Sequence, residues 1–263
     1  MLIKPGTKVS LKKMNPADTD GYASEDEAKE LLRKQLDELV GLQNLLYAEN
    51  KRALLIVLQG MDTSGKDGTI RHVMSGLSPL GVTVKAFKEP TQEELAHDFL
   101  WRVHQAVPRR GYIGIFNRSH YEDVLVARVH DLVPRKVWKA RYEQINQFER
   151  MLVKNHVVIL KFFLHISKGE QRERLKQRLA DPTRYWKFSL RDVEERQYWS
   201  EYREAYEDAL TKCSTKWAPW HIVSANHKWY RNVVVAETIA KTLRDFKMEY
   251  PPPSVDLSKI VID

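Results

Sequence analysis

The chain has 263 residues and carries 43 Lys and Arg against 35 Asp and Glu, a net charge of +8; it can hold one large α/β domain or two small ones, and its basic balance selects an anionic partner. Its one cysteine, Cys213, excludes an internal disulfide framework and a cysteine-rich zinc site. With no signal-peptide core at the start and no run of membrane-spanning length, a cytoplasmic protein without a membrane partner is expected.

Residues 1–23 mix Pro, Gly, Asp and Lys without periodicity and read as an extended surface arm. Ser24 and Glu27 form a capping box for a helix whose stripe is Leu32, Leu36, Leu39, Leu42 and Leu46. That stripe is core material, packing on a sheet or on another subunit. Ala53-Leu54-Leu55-Ile56-Val57-Leu58 is continuously apolar, as a strand buried on both faces should be. From Thr69 the pattern turns helical, through Ile70, Val73, Met74 and Leu77.

Between them lies Gly60-Met61-Asp62-Thr63-Ser64-Gly65-Lys66-Asp67-Gly68-Thr69, with Gly60, Gly65 and Lys66 spaced as in a phosphate-binding loop. Glycine at the tight points lets backbone N–H groups of Thr63, Ser64 and Gly68 turn toward an anion, and the helix beyond favours negative charge there. Lys66 adds a mobile cation. Asp67 stands where a Ser or Thr usually helps to hold magnesium; it reads either as part of the phosphate site or as an acid favoured at a helix start. Asp62 would repel a phosphate unless a divalent cation bridged the two, so Asp62 is a candidate metal ligand.

Pro79-Leu80-Gly81 is a turn before a second strand, 82–87. Pro90 precedes one helix containing Leu95, Phe99, Leu100 and Val103, on which Trp101 and Arg102 read as packing or solvated residues. A third strand, 112–116, runs into Asn117, Arg118, Glu122 and Asp123, polar groups at a strand's carboxyl end where open α/β sheets place ligands. A helix over 134–154 carries Val137, Trp138, Tyr142, Ile145, Phe148 and Leu152 on one face, and 157–164 is a fourth strand. The segment 168–191 is basic, with Arg174, Arg178 and Lys187 among its cations, and is broken at Asp181-Pro182-Thr183; beside a phosphate loop it reads as a lid over an anionic substrate. A helix over 193–212, a fifth strand at 220–224 and a last helix to about Phe246 complete the chain before Pro251-Pro252-Pro253.

The loop at 60–69, Phe116-Asn117-Arg118-Ser119-His120-Tyr121-Glu122-Asp123-Val124 and Tyr185-Trp186-Lys187-Phe188-Ser189 together resemble the type-2 polyphosphate kinase family, over most of the chain from about Tyr22. The resemblance implies a three-layer α/β/α sandwich with a mostly parallel five-stranded sheet, a P-loop kinase of thymidylate kinase type over 24–250. A helical lid would lie at about 168–195 and a tail at 251–263. It implies magnesium-dependent, reversible transfer of a terminal phosphoryl group from inorganic polyphosphate to AMP or ADP, with manganese as a substitute metal and guanine nucleotides as further acceptors.

On the matching positions it implies that Asp62 holds metal, that Lys66 and the loop amides hold phosphates, and that Arg118 and lid arginines such as Arg178 contact the transferring chain. Asp123 then completes the metal shell through water or orients the acceptor, and Glu122 shapes the nucleotide end. Asn117 stands where several branches carry aspartate, a departure that speaks against a metal role for position 117, and this Asn117 to Asp123 version resembles the branch that accepts both AMP and ADP. The alternatives are an ATP-dependent nucleotide kinase of the same fold and a non-enzymatic nucleic-acid-binding protein; the absence of RNA-binding signatures speaks against a nucleic-acid partner. A homo-oligomer, dimer or tetramer, is expected through the N-terminal helix.

Overall fold

The computed structural model describes residues 1–22 and 24–262. Its centre is a sheet of five parallel strands, β1 (Ala53–Gln59), β2 (Val82–Ala86), β3 (Ile113–Asn117), β4 (Val157–His165) and β5 (Trp220–Ser224), in the order β2-β3-β1-β4-β5. All seven residues of β1 are buried, as its unbroken apolar run requires of a strand covered on both faces. β2 is an edge strand, mostly exposed, and it ends at Ala86 so that Phe87 turns into the core.

The helices are α1 (Glu25–Glu49), α2 (Lys66–Val73), α3 (Gln92–Ala96), α4 (Trp101–His104), α5 (Val126–Val129), α6 (Arg135–Lys154), α7 (Lys168–Ala180), α8 (Leu190–Glu194), α9 (Trp199–Lys212) and α10 (Lys228–Asp245). α1, α2 and α10 pack together in one layer; α5, α6 and α9 form the other. Ser24 caps α1 by accepting from the Glu27 N–H at 3.1 Å, and Asn50 ends it in the left-handed conformation. The leucine stripe of α1 lies along α10 of the same chain, with Leu39 and Leu46 fully buried. α6 buries Trp138, Tyr142, Ile145, Phe148 and Leu152 at helical spacing, whereas Val137 is exposed.

Three sequence expectations change. The single helix expected over 91–103 is split into α3 and α4, because the Asp98 carboxylate accepts from the Leu100 N–H at 2.9 Å and starts a new turn. The helix expected from Val193 begins only at Trp199, after α8 and a 3-10 turn. The N-terminal arm is extended but does not lie loosely on the surface: Leu2 bridges His221 antiparallel to β5, the Ile3 N–H reaches Trp220 O at 2.8 Å, and Ile3, Val9 and Leu11 are buried. Among the described residues no helix is long and apolar enough to cross a membrane.

In this topology the turns after β1 and β3, neighbouring strands, emerge side by side at the carboxyl edge. Leu58 and Asn117 are register partners, and the Arg118 N–H closes on Leu58 O at 3.1 Å. The two polar motifs, far apart in sequence, thus share one site at the place where open α/β sheets hold ligands.

Candidate active site

The β1–α2 turn is a tight loop because two of its glycines permit it. Gly60 has φ 156°, and a Cβ there would stand 2.7 Å from Leu164 O; Gly65 has φ 105° and caps α2. Thr63 and Arg118 hold left-handed φ values of 62° and 61°. That conformation is costly for residues other than glycine, and residues that hold it gather at functional sites.

Above the loop lies a cavity of about 770 Å³ between the sheet edge, the first turns of α2 and α10, and the segment from α7 to α8. Ten Lys and Arg line it against three Asp, so an empty cavity would be strongly repulsive and an anion would relieve that. Asp62, Thr63, Gly65, Lys66, Asp67, Gly68, Asn117, Arg118, Arg174, Arg178 and Lys187 are all on its wall. The N–H groups in the first turn of α2 have no partner within the helix, and this turn, Lys66 to Gly68, forms the cavity floor.

Lys66 is buried and folds back on the loop, its Nζ donating to Gly60 O at 2.9 Å and Met61 O at 3.3 Å. Burial, and then the Arg118 guanidinium, bring its pKa down to about 8. Arg118 reaches the other way: Nη2 pairs with the Asp62 carboxylate and Nη1 donates to Glu122 Oε2 at 3.0 Å. Glu122, first, and Asp62 raise its pKa beyond any accessible pH, so Arg118 is a permanent cation. Asn117 Nδ2 donates to Asp67 Oδ1 at 2.7 Å, and Lys187 of the lid stands 3.8 Å from the other oxygen of Asp67. Asp67 therefore ties β3 and the lid to the start of α2.

The lid is the segment from α7 through a 3-10 turn, Pro182–Lys187, to α8. Arg178 pairs with Asp192 at 2.9 Å and donates to Lys187 O, binding the two arms of the lid together while it lines the cavity. Arg191 pairs with Glu89 in the turn after β2, which holds the lid across the opening.

Several expected residues stand elsewhere. Arg174, a polymer contact on the sequence reading, has its guanidinium fully engaged by protein: Nε bonds Glu170, Nη1 donates to Thr63 O and Ser64 O, and Nη2 to Ala225 O and Asn226 O. All five donors have acceptors, so Arg174 braces the loop against the β5–α10 turn. Gly60 and Ser64 lie behind the cavity wall, and Glu122 supports Arg118 from the side.

Asp123, a metal ligand with Asp62 on the sequence reading, does not line the cavity; it pairs with Arg141 at 3.1 Å in a half-buried position beside α6. Burial raises its pKa to about 6, although Arg141 and Arg102 oppose the shift. A raised carboxylate destabilises the fold as pH climbs from about 4 to about 6. Relative to Asp123→Asn, the native chain should accordingly lose roughly 2–3 kcal/mol across that window. Parallel denaturation of both chains at pH 4.5 and pH 7 measures this, and an unchanged difference would mean that Asp123 is ionised throughout.

Trp101 and Arg102 are packing residues: Trp101 stacks on His97 at 4.1 Å, and buried Arg102 donates to Lys88 O and Glu94. Sequence reading missed Lys228 and Arg231, both on the cavity wall at the start of α10. The signal was there, since cations in a helix's first turn oppose its dipole and call for a reason.

Known proteins resemble this chain over nearly its whole length. A family model described as polyphosphate kinase 2 matches residues 22–251. An AMP/ADP-polyphosphate phosphotransferase from Meiothermus ruber is 50% identical over 265 residues, covering 99% of this chain and 98% of the relative. An ADP-polyphosphate phosphotransferase from Rhodopseudomonas palustris is 46% identical over 258 residues, 94% of this chain and 89% of the relative. The crystal structure of polyphosphate kinase 2 from Arthrobacter aurescens TC1 superposes with a TM-score of 0.94 at 42% identity, covering 97% of this chain and 92% of that one.

Proposed function

Since this chain belongs to the polyphosphate kinase 2 family, we infer that it transfers the terminal phosphoryl group of inorganic polyphosphate to AMP and ADP, reversibly, giving ADP and ATP. The observation that carries this reading to the site is the cation-lined cavity over the phosphate loop, which suits a linear polyanion better than a compact neutral ligand.

Phosphoryl transfer asks little covalent chemistry of the protein; it asks for alignment of donor and acceptor and for neutralisation of the charge on the transferred group. In this reading the first turn of α2 cradles a phosphate and Lys66 swings from the Gly60 and Met61 carbonyls onto its oxygens. Arg118, held in a fixed direction by Glu122 and Asp62, faces the transferred group from the β3 side. Arg178, Lys187 and Arg191 keep the lid closed, which excludes water and so limits hydrolysis of the donor.

Magnesium, or manganese in its place, would when bound neutralise phosphate oxygens at the reacting centre. The residues fit such an ion: Asp62 offers one carboxylate on the cavity wall beside the loop, and magnesium takes one or two carboxylates with phosphates and water for the rest. Asp123, off that wall, is not part of the set. The proposal extends to a cytoplasmic, homo-oligomeric enzyme; the free, buried Cys213 suits a reducing compartment.

The test is to supply ADP, magnesium and polyphosphate without ATP and to follow the nucleotides by chromatography, then to repeat it with AMP and with a chelator. ATP should form from ADP, and none should form when the metal is chelated from the start. Activity only with ATP as donor would instead make this an ordinary nucleotide kinase.

A further inference from the structure

A loop that turns its N–H groups toward an anion turns carbonyls of the same stretch away from it, and those carbonyls need donors of their own. Side chains supply them here. Lys66 holds Gly60 O and Met61 O, Arg174 holds Thr63 O and Ser64 O, and between them Gln171 Nε2 donates to Asp62 O at 2.9 Å. Gln171 and Arg174, three apart on α7, present one face of that helix to the loop. When Lys66 moves onto a phosphate, as proposed above, it releases its two carbonyls, and the α7 pair keeps the loop in shape.

The direction of the Gln171 amide is decided from farther away. Gln171 is 3% exposed, and its Oε1 accepts from Arg196 Nη1 at 2.7 Å. With a donor at one end of the amide and a carbonyl at the other, only one orientation satisfies both. Arg196 belongs to the 3-10 turn Glu195–Tyr198, on the return from the lid, and also donates to Lys168 O at 3.2 Å. That turn is pinned to the body of the protein, because Glu195 Oε2 meets His130 Nε2 at 2.9 Å just beyond α5. A line of hydrogen bonds thus runs from the pinned turn through Arg196 and Gln171 to the main chain of Asp62.

We propose that Gln171, oriented by Arg196, is a positioning residue for Asp62: it fixes the main chain on which the metal-binding carboxylate is mounted, so that loss of either residue loosens the metal. This assignment rests on the activity and on the metal role of Asp62 proposed above. Behind Asp62, a cavity of about 20 Å³ between the loop, Gln171 and the rings of Trp199, Tyr202 and Tyr206 has room for one water. A shortened side chain would let such a water replace the amide, so the informative variants keep its volume.

The test compares Gln171→Met, Arg196→Met and Arg196→Lys with the native enzyme. Native enzyme must first make ATP from ADP and polyphosphate; failure there overturns the function itself, whereas the metal measurement needs no donor and addresses the relay alone. Manganese held in the enzyme–ADP complex, read by water-proton relaxation without polyphosphate, should bind roughly 10–100-fold more weakly in Gln171→Met, the usual cost of losing a group that orients a metal ligand. In turnover the same variant should need correspondingly more magnesium, with the KM for ADP at saturating metal near native. Arg196→Met should show a smaller defect of the same kind, although removing a cation would by itself tighten metal binding, and Arg196→Lys should recover most of it. Because the two residues act in series, Gln171→Met combined with Arg196→Met should be no worse than Gln171→Met alone. The proposal is overturned if folded Gln171→Met holds manganese as the native enzyme does, or if the defects of the double variant multiply. Should Gln171→Met fail to fold, half-buried Arg196 decides: native manganese affinity in Arg196→Met overturns the proposal.

Discussion

Lys66→Met will lower phosphoryl transfer by roughly 10²–10³-fold, the usual cost of removing one positioned donor from a transition-state site, while the melting temperature at pH 7 stays close to native or rises. The two halves have one cause. Lys66 is buried against the loop with its pKa down at about 8, so the folded state holds its charge at a cost that the unfolded chain does not bear. Because the folded pKa lies below the unfolded one, the unfolded chain binds the extra proton between about pH 8 and 10.5, and native stability rises with pH in that window. Methionine fills the same stem volume without the charge, and should flatten that rise. Polyphosphate bound at the loop should add negative charge beside the ammonium and raise its pKa. In the native enzyme, kcat/KM for polyphosphate should therefore fall above about pH 8, and kcat only at higher pH, since the first reports the free enzyme and the second the complex. A variant that keeps transfer within about ten-fold of native, or loses cooperative unfolding, would show that Lys66 is a structural residue.

Lys161→Met should destabilise the protein by roughly 3–5 kcal/mol, the cost of breaking a buried ion pair from one side. Lys161, on β4, is fully buried; its Nζ donates to Glu149 Oε2 at 2.6 Å, Tyr121 Oη at 2.8 Å and Cys213 O at 2.7 Å. Glu149 also takes Tyr121 Oη–H at 2.8 Å and faces His120 Nε2 at 3.3 Å. Burial alone would raise the Glu149 pKa, but Lys161 and His120 outweigh it and the carboxylate stays ionised. Methionine would strand that charge. Glu149→Gln added to Lys161→Met removes it and should restore much of the loss, which a double-mutant cycle by denaturant titration measures. Simple addition of the two single effects would mean that the pair does not act as a unit. The network matters to the site because His120 and Tyr121 lie between Arg118 and its carboxylate partner Glu122, so the same lysine that steadies the core also steadies the turn that holds Arg118 on the cavity wall.

The layout of this protein is readable from its residues wherever a local rule dominates. An unbroken apolar run marks β1, helical spacing marks the buried face of α6, and Gly60, Gly65 and Lys66 at fixed spacing announce a phosphate loop. The join between loop and strand-end motif is legible too, since a parallel sheet brings successive carboxyl ends to one edge. The split of α3 from α4 is harder, because Asp98 can either continue a helix or start one, and only its neighbours decide.

Chain order dictates which residue types reach the site: a strand end must present the residues next in the chain, and a glycine-rich turn must present its backbone. Packing between distant elements settles what each charge does there. Arg174 and Arg231 are indistinguishable as letters, and both reach the cavity wall, yet one finds five acceptors, a carboxylate among them, and becomes a brace while the other, among the described residues, pairs with no carboxylate. Asp62 and Asp123 part in the same way, one on the cavity wall and one against Arg141. The reason is that a side chain's charge is local, whereas its partners come from elements distant in sequence, and it is the partners that fix whether the charge is used by the fold or left for a substrate.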